Sequence, residues 1–368
     1  MLQFTRSVRD YVLYLRRRRT IQRDWHKRHA RIYADCPTYR RPVDAASEAA
    51  HQQLWQPFSR RVALDTLRVC GNASGLADPR VVPEDVFAVD IEPRLNRVDW
   101  APFFSHKSFC SHFFAPDLFP ETYFHRTGGD YFDRTGRPID SADIGALAQD
   151  LPYPLVCKPS TDTFGGKGVS FPRDAEELRA RLAAPGDVVV QAIVRQHPFL
   201  DEFNRHGLNT LRVYTYRSVT TGVVHVLHAA LRMGRNGSLD NETAGGIVCY
   251  VHPNGRLHDY AVDKHGKKFA AHPDTGIAFS ADLQIPDFGI MKQLLTEAAA
   301  RIPHMRLAGW DATLDASGRW RCVEVNLAGL TTRFAQYAGQ PFFGDFTDEV
   351  IAFCRNHPRY QRVSQRMF

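Results

Sequence analysis

Apolar residues at Phe4, Val8, Tyr11, Val12 and Leu15 recur three and four apart, which predicts an amphipathic helix at the head of the chain. Basic and aromatic residues carry the pattern through Arg16-Arg17-Arg18-Arg19 to Tyr33, as one or two basic helices. A further helical stretch is predicted over 42–70, burying Leu54, Trp55, Phe58, Val62 and Leu67. Gly71 to Pro83 predicts a loop, and 84–104 is broken by prolines and rich in aromatics. An apolar, helical stretch opens at His106 and ends near Pro120, and 131–137 predicts a hairpin. Short apolar runs at 155–159, 169–171, 188–194, 210–217, 223–232, 246–251, 309–315 and 320–326 predict strands, with helices at 174–184 and 287–302. Strands outnumber helices and many join through hairpins, so the fold class is α+β with mostly antiparallel sheets.

The 368 residues suffice for about two or three domains. No apolar run approaches the ~18 residues that span a bilayer, and no secretory leader is recognisable at the N-terminus. Seven scattered cysteines, without a C-x-x-C pair, argue for a reducing, cytoplasmic setting and against a disulfide framework or a zinc site. Of the net charge of +7, residues 1–41 contribute +9, from twelve Lys/Arg against three Asp. The basic character therefore belongs to a segment, and a nucleic-acid-binding body is not expected. That segment is either a solvated basic face on a helix packed against the body or a contact for an anionic membrane surface or acidic partner.

Candidate chemistry lies in the strands. Gly309-Trp310-Asp311 and Val323-Glu324-Val325-Asn326 flank a turn at Ala316 to Arg319. Pairing the two strands brings Asp311, Glu324 and Asn326 together, with Glu324 and Asn326 on one face. Three oxygen ligands on a hairpin suit a hard cation such as Mg²⁺ with a nucleotide phosphate, and the same pattern suits a half-solvated hairpin. Lys158 ends an apolar strand, and Ser160 to Gly168 follows with Gly165-Gly166-Lys167-Gly168. This is not a Walker loop. It is either an ordinary hairpin loop or a glycine lid whose N–H groups and Lys167 face phosphates. Arg212 and Arg232 each sit on an apolar strand, where a buried arginine needs an anionic partner: a salt bridge or a ligand. Asn241 and Gly245-Gly246 follow in a turn.

In this order the chain resembles the ATP-grasp superfamily, and within it the ribosomal-protein-modification and glutamate-ligase branch. It is most similar to the sugar-transfer-associated ATP-grasp family, often encoded beside glycan-assembly enzymes. The phrases that carry the resemblance are Ile91-Glu92-Pro93-Arg94-Leu95-Asn96, Cys157-Lys158-Pro159, Gln196-His197-Pro198, Leu208-Asn209-Thr210-Leu211-Arg212, Asp240-Asn241 through Gly245-Gly246, His272-Pro273-Asp274-Thr275-Gly276, Gly309-Trp310-Asp311 and Glu324-Val325-Asn326. They run from about residue 80 to about residue 340. The resemblance implies two α+β subdomains clasping ATP, as an ATP-grasp domain at 81–350, after a helical region at 1–80 and before a C-terminal tail at 351–368. It implies that Lys107 and Lys158 contact the α- and β-phosphates, and that the loop from Thr163 through Gly165, Gly166, Lys167 and Gly168 covers the triphosphate. Gln191, Ala192, Ile193 and Val194 would form the hinge beside adenine. Arg212 and Arg232, with Asn241, would hold the γ-phosphate or a substrate carboxylate, and Asp311, Glu324 and Asn326 would bind one or two Mg²⁺ (or Mn²⁺). Two positions depart from the pattern: Gln191 stands where the hinge begins with glutamate, and His106 where aspartate precedes the first lysine.

The activity implied is ADP-forming ligation of a small-molecule carboxylate to an amine through an acyl phosphate. The substrates would be a sugar acid, an amino sugar or an amino acid, in polysaccharide or secondary-metabolite assembly. Such chemistry asks side chains mainly for charge neutralisation and in-line positioning. The alternatives are phosphoryl transfer to a hydroxyl, with His197, His225 or Asp240 as base, a nucleotide-binding scaffold without turnover, and a membrane adaptor acting through residues 1–41. Tyr260, Lys264, Thr331, Thr332, Arg333 and Gln336 are candidate pocket-lining residues.

Overall fold

The computed structural model describes residues 2–97, 99–115, 117–161, 167–236, 240 and 245–357. Helix α1, Leu2–Asp35, is one continuous element. Tyr14, His29 and Ile32 lie on its buried face. The stretch predicted as helical over 42–70 divides into α2, Ala45–Trp55, and α3, Asp65–Ser74. The carboxylate of Asp44 caps α2 by accepting from the Ser47 N–H at 2.7 Å. Gly75, at φ 82°, closes α3 in the left-handed conformation.

A five-stranded antiparallel sheet has the order β3-β2-β1-β5-β4. Its strands are β1 (Thr122–Thr127), β2 (Asp130–Asp133), β3 (Pro138–Ile139), β4 (Leu155–Pro159) and β5 (Val188–Ala192). The helices Ile144–Gln149 and Ala175–Ala183 cover one face, packing Leu178 and Leu182 on Phe124, Leu155, Cys157, Val188 and Val190. By alternation the other face carries Val156, Lys158, Val189 and Gln191. Val169–Phe171, expected as a strand, makes only one bridge, between Ser170 and Cys157. Pro172 follows at once and cannot donate to a ladder.

A seven-stranded antiparallel sheet has the order β10-β9-β8-β7-β6-β11-β12. It comprises β6 (Thr210–Arg217), β7 (Val224–Met233), β8 (Ile247–Val251), β9 (Leu257–Val262), β10 (Lys268–Phe269), β11 (Leu307–Leu314) and β12 (Trp320–Asn326). One face is apolar: Leu211, Val213, Leu231, Trp310 and Val325 pack with the helix Phe288–Ala300 and with Phe104, Phe114 and Phe119. The opposite face changes character along its strands. At one end Tyr214, Tyr216, Ala230 and Leu307 join a second core with Trp55, Phe87, Ile91, Phe342, Phe343 and Val350. At the other end, in the same inward alternation, stand Arg212, Arg232, Asp311, Glu324 and Asn326. Residues 351–356, grouped with the tail from sequence, continue the helix Thr347–Asn356, whose Val350, Ile351 and Cys354 are buried.

Candidate active site

Register aligns the charged residues. Arg212 on β6 lies opposite Asp311 on β11, and Asp311 lies opposite Glu324 on β12. The register slips between Asp311 and Ala312, so Val323 is the extra residue of a bulge. Its carbonyl accepts the Lys158 ammonium at 3.1 Å, so the bulge joins the two sheets at this point. The Lys107 ammonium lies 3.0 Å from Glu324 Oε1. The backbone N–H of Lys107 donates to the Ser160 carbonyl at 3.0 Å, and the buried hydroxyls of Ser108 and Ser160 lie 2.7 Å apart. The Lys107 turn is thus fixed to the root of the predicted glycine lid.

Asp311 is buried and shared by both arginines. Arg212 donates from Nε to Oδ1 at 2.5 Å and from Nη2 to Oδ2 at 3.1 Å, and Arg232 Nη1 lies 3.1 Å from Oδ2. Burial alone would raise the Asp311 carboxyl, but the two guanidinium groups hold it below the usual carboxylate range. Arg232 also faces Asp240 at 3.8 Å, and the Thr210 hydroxyl donates to Asp240. Burial raises the Asp240 carboxyl against the pull of Arg232. Burial, then repulsion from Lys107, brings the Lys158 ammonium down to about 8. Four cations, Lys107, Lys158, Arg212 and Arg232, therefore surround three carboxylates, Asp240, Asp311 and Glu324. The cluster carries one surplus positive charge and suits an anionic ligand.

The donors expected for a cation are two carboxylates and an amide. Asp311 and Glu324 oppose each other in register, Asn326 shares their face, and the Nδ2 of Asn326 is buried without a partner among the described residues. This all-oxygen set fits a hard divalent ion. No group of three His, Cys, Asp or Glu suited to a metal occurs among the described residues. The stretch expected to form the hinge is partly bonded. Gln191 is buried, its amide donating to the Thr122 hydroxyl at 2.9 Å, and the Ala192 N–H donates to the Glu121 backbone carbonyl. Strand β5 ends at Ala192, so Ile193 and Val194 leave the ladder with partly exposed side chains. Thr163, Gly165, Gly166 and Asn241 lie outside the described residues, while Lys167 and Gly168 are exposed. Gly246 approaches chain rather than open space, because a Cβ there would lie 2.8 Å from the Met233 carbonyl oxygen and 2.7 Å from that of Asp240.

The candidate lining residues divide. Thr332 and Gln336 are fully buried staples, with Gln336 accepting from the Val82 N–H at 2.7 Å. Tyr260 donates to the Tyr337 carbonyl, and Arg333 donates to Thr331 and to the carbonyl of Lys264. His197 caps a short helix by accepting from Phe199, and His225 packs on Phe346. The sequence reading left two positioning residues without a role. Asn96 donates to the carbonyls of Leu307 and Leu327 and accepts from the Leu307 N–H, so it grips both strands of the site hairpin. Glu92 accepts from the Leu330 N–H at 2.7 Å. Their only sequence signal was membership of the phrase Ile91 to Asn96.

Residues 177–343 match the family described as sugar-transfer associated ATP-grasp. The match covers under half of the chain, and over that segment the chain is similar to this family. No curated protein matches it. Three solved structures are similar in chain course. N5-carboxyaminoimidazole synthetase from Staphylococcus aureus, complexed with ADP, is 11% identical over 72% of this chain and 52% of its own, with a TM-score of 0.41. The biotin carboxylase domain of 2-oxoglutarate carboxylase from Hydrogenobacter thermophilus, with ADP, magnesium and bicarbonate, is 14% identical over 69% and 46%, with a TM-score of 0.40. The ATP-grasp ligase PsnB, with a minimal precursor, Mg and ADP, is 16% identical over 71% and 62%, with a TM-score of 0.39. The chain spans between 46% and 62% of the length of these three.

Proposed function

We propose that the chain is an ATP- and Mg²⁺-dependent ligase joining a small carboxylate to an amine, with release of ADP and phosphate. The observation that carries this reading is the convergence of Lys107, Lys158, Arg212 and Arg232 on the carboxylate and amide face of the β11–β12 hairpin. Asp311, Glu324 and Asn326 would hold the ion, which supplies charge neutralisation at the phosphates. Lys107 and Lys158 bind the α- and β-phosphates. The loop from Thr163 to Gly168 closes over the triphosphate, and Gln191 to Val194 flank adenine. Arg212 and Arg232, with Asn241, orient the γ-phosphoryl group and the acceptor carboxylate in line. A carboxylate oxygen attacks the γ-phosphorus as the bond to ADP breaks. The amine then attacks the acyl carbon, phosphate leaves, and the amine proton passes to water. A sugar acid, amino sugar or amino acid is the substrate class we favour, on the family's description.

The test is calorimetry of ATP binding with and without Mg²⁺ on the wild type and on Glu324→Ala, followed by a screen of acids and amines for phosphate release. Magnesium-dependent binding lost in the variant supports the site. No binding by either protein, or no phosphate release across a broad panel, rejects the ligase. Asp240 favours a second reading, phosphoryl transfer to a hydroxyl, because it is a carboxyl raised by burial and oriented by Thr210 beside Arg232. A phosphoester with ADP, rather than an amide with free phosphate, identifies that outcome.

A further inference from the structure

Helix α1 divides its basic residues between two faces. Arg18 points inward, donating to Tyr14 and to buried Asp90, and Arg17 donates to the Ala88 carbonyl. Arg28 lies over the Trp25 ring. Arg9, Arg16, Arg19, Arg23 and Lys27 are all exposed. Their separations of seven, three, four and four residues place them in one stripe along the helix. That stripe is roughly 27 Å long at the rise of an α-helix. Among the described residues, Arg16, Arg19, Arg23 and Lys27 have no carboxylate partner, and Arg9 touches only Asp10 at 3.4 Å. At the N-terminal end of the stripe Val8, Tyr11 and Val12 are 49%, 43% and 41% exposed. The stripe thus combines fixed positive charge with an apolar, aromatic tip, and the opposite face of the same helix is anchored to the body.

We infer that this outer face of α1 docks the protein on an anionic lipid surface, lying along the interface with Val8, Tyr11 and Val12 entering the headgroup layer. Charge complementarity selects the surface, and the exposed apolar tip favours a bilayer over a polyanion that offers charge alone. A nucleic acid would call for a series of stacking aromatics between the cations, whereas from Arg16 to Lys27 the one exposed ring is His26, and Trp25 is half-buried with Arg28 over it. This inference is independent of the ligase reading.

The test is sedimentation of the full chain with phosphatidylcholine vesicles, with and without phosphatidylserine, at low and high salt. Binding is expected only to the phosphatidylserine vesicles and should weaken as salt rises. Each basic residue near such a surface contributes about a fivefold increase in partitioning, so Arg16→Gln/Arg19→Gln/Arg23→Gln should bind on the order of 100-fold more weakly. Arg60→Gln/Arg61→Gln/Arg301→Gln removes equal charge from exposed positions elsewhere and should bind as the wild type does. Val12→Ser should weaken binding with little change in its salt dependence. Thermal melts establish that each variant folds; if the triple variant does not, Arg23→Gln/Lys27→Gln takes its place. No binding of the wild type, equal loss in both triple variants, or tighter binding to duplex RNA than to the charged vesicles overturns the inference.

Discussion

Lys158 offers the sharpest check on the site, because its protonation is coupled to its proposed task. Burial, reinforced by Lys107, lowers its ammonium to about 8, while Glu324 opposes the shift. A lysine that binds phosphate must be charged. The free protein should therefore bind nucleotide fully below that value and progressively less above it. About a tenth of the Lys158 side chains remain protonated one pH unit above the pKa, so MgATP affinity should fall about tenfold between roughly pH 7 and pH 9. Calorimetric titration with MgATP needs no knowledge of the acceptor and measures this directly. Lys158→Arg keeps the charge at every accessible pH, so its affinity, even if lower from altered geometry, should lose the alkaline limb. Lys107→Met removes the neighbouring like charge and should move the limb to higher pH. A flat wild-type profile, or the same limb in Lys158→Arg, would refute the placement of Lys158 against the phosphates.

Three further outcomes follow from the surrounding packing. Burial raises the Glu92 carboxyl from 4.5 to about 7, so the folded state holds that proton more tightly than the unfolded chain. Stability should fall by up to about 3 kcal/mol as pH rises from about 4.5 through about 7, and Glu92→Gln should flatten this in thermal melts taken across that range. Asn96→Ala leaves the Leu307 and Leu327 groups unpaired in the core and should cost about 2–4 kcal/mol by denaturant titration. Gly246→Ala forces a Cβ against two carbonyl oxygens and should destabilise by about 1–3 kcal/mol, whereas Gly222→Ala, where a Cβ meets open space but φ is 73°, should cost less.

Local signals were legible and distant ones were not. The site hairpin was readable because its turn is self-contained: Asp315 accepts from the N–H groups of Ser317 and Arg319, and Gly318 takes φ 77°. The strand at 210–217 was readable to the residue because both of its faces are buried. Strand β1 was missed because Tyr123, His125 and Arg126 mask its alternation and a bulge near Thr122 breaks its register. β9 and β10 were missed because the polar pair His258-Asp259 interrupts one and the other has two residues. The sharing of Asp311 between Arg212 and Arg232 depends on the pairing of three strands, up to 99 residues apart in sequence. The grip of Asn96 on Leu307 spans 211 residues. No local pattern reports such distances, so the order of motifs singled out the residues and not their contacts.

The run Arg16 to Arg19 shows why a deletion would mislead. Successive helical residues turn by about 100°, so Arg16 and Arg19 face water while Arg17 and Arg18 face the body. Arg18 and Tyr14 supply two of the partners of Asp90, which is 1% exposed; Arg94 supplies a third. Asp90 and Arg94 flank Glu92, and the same short segment ends at Asn96, so α1 braces the residues that hold the site hairpin. Removing residues 1–41 would strip Asp90 to one partner and should cost about 2 kcal/mol or more, besides the lost packing of Ile32 and Tyr39. Weakened ATP binding in that truncation would therefore follow from a loosened hairpin. Asp90→Asn/Arg18→Gln, with α1 intact and its outer stripe untouched, should lower the melting temperature and weaken nucleotide binding while leaving vesicle binding at the wild-type level. If that variant lost vesicle binding and kept nucleotide affinity, the division of α1 into an inner structural face and an outer charged one would be wrong.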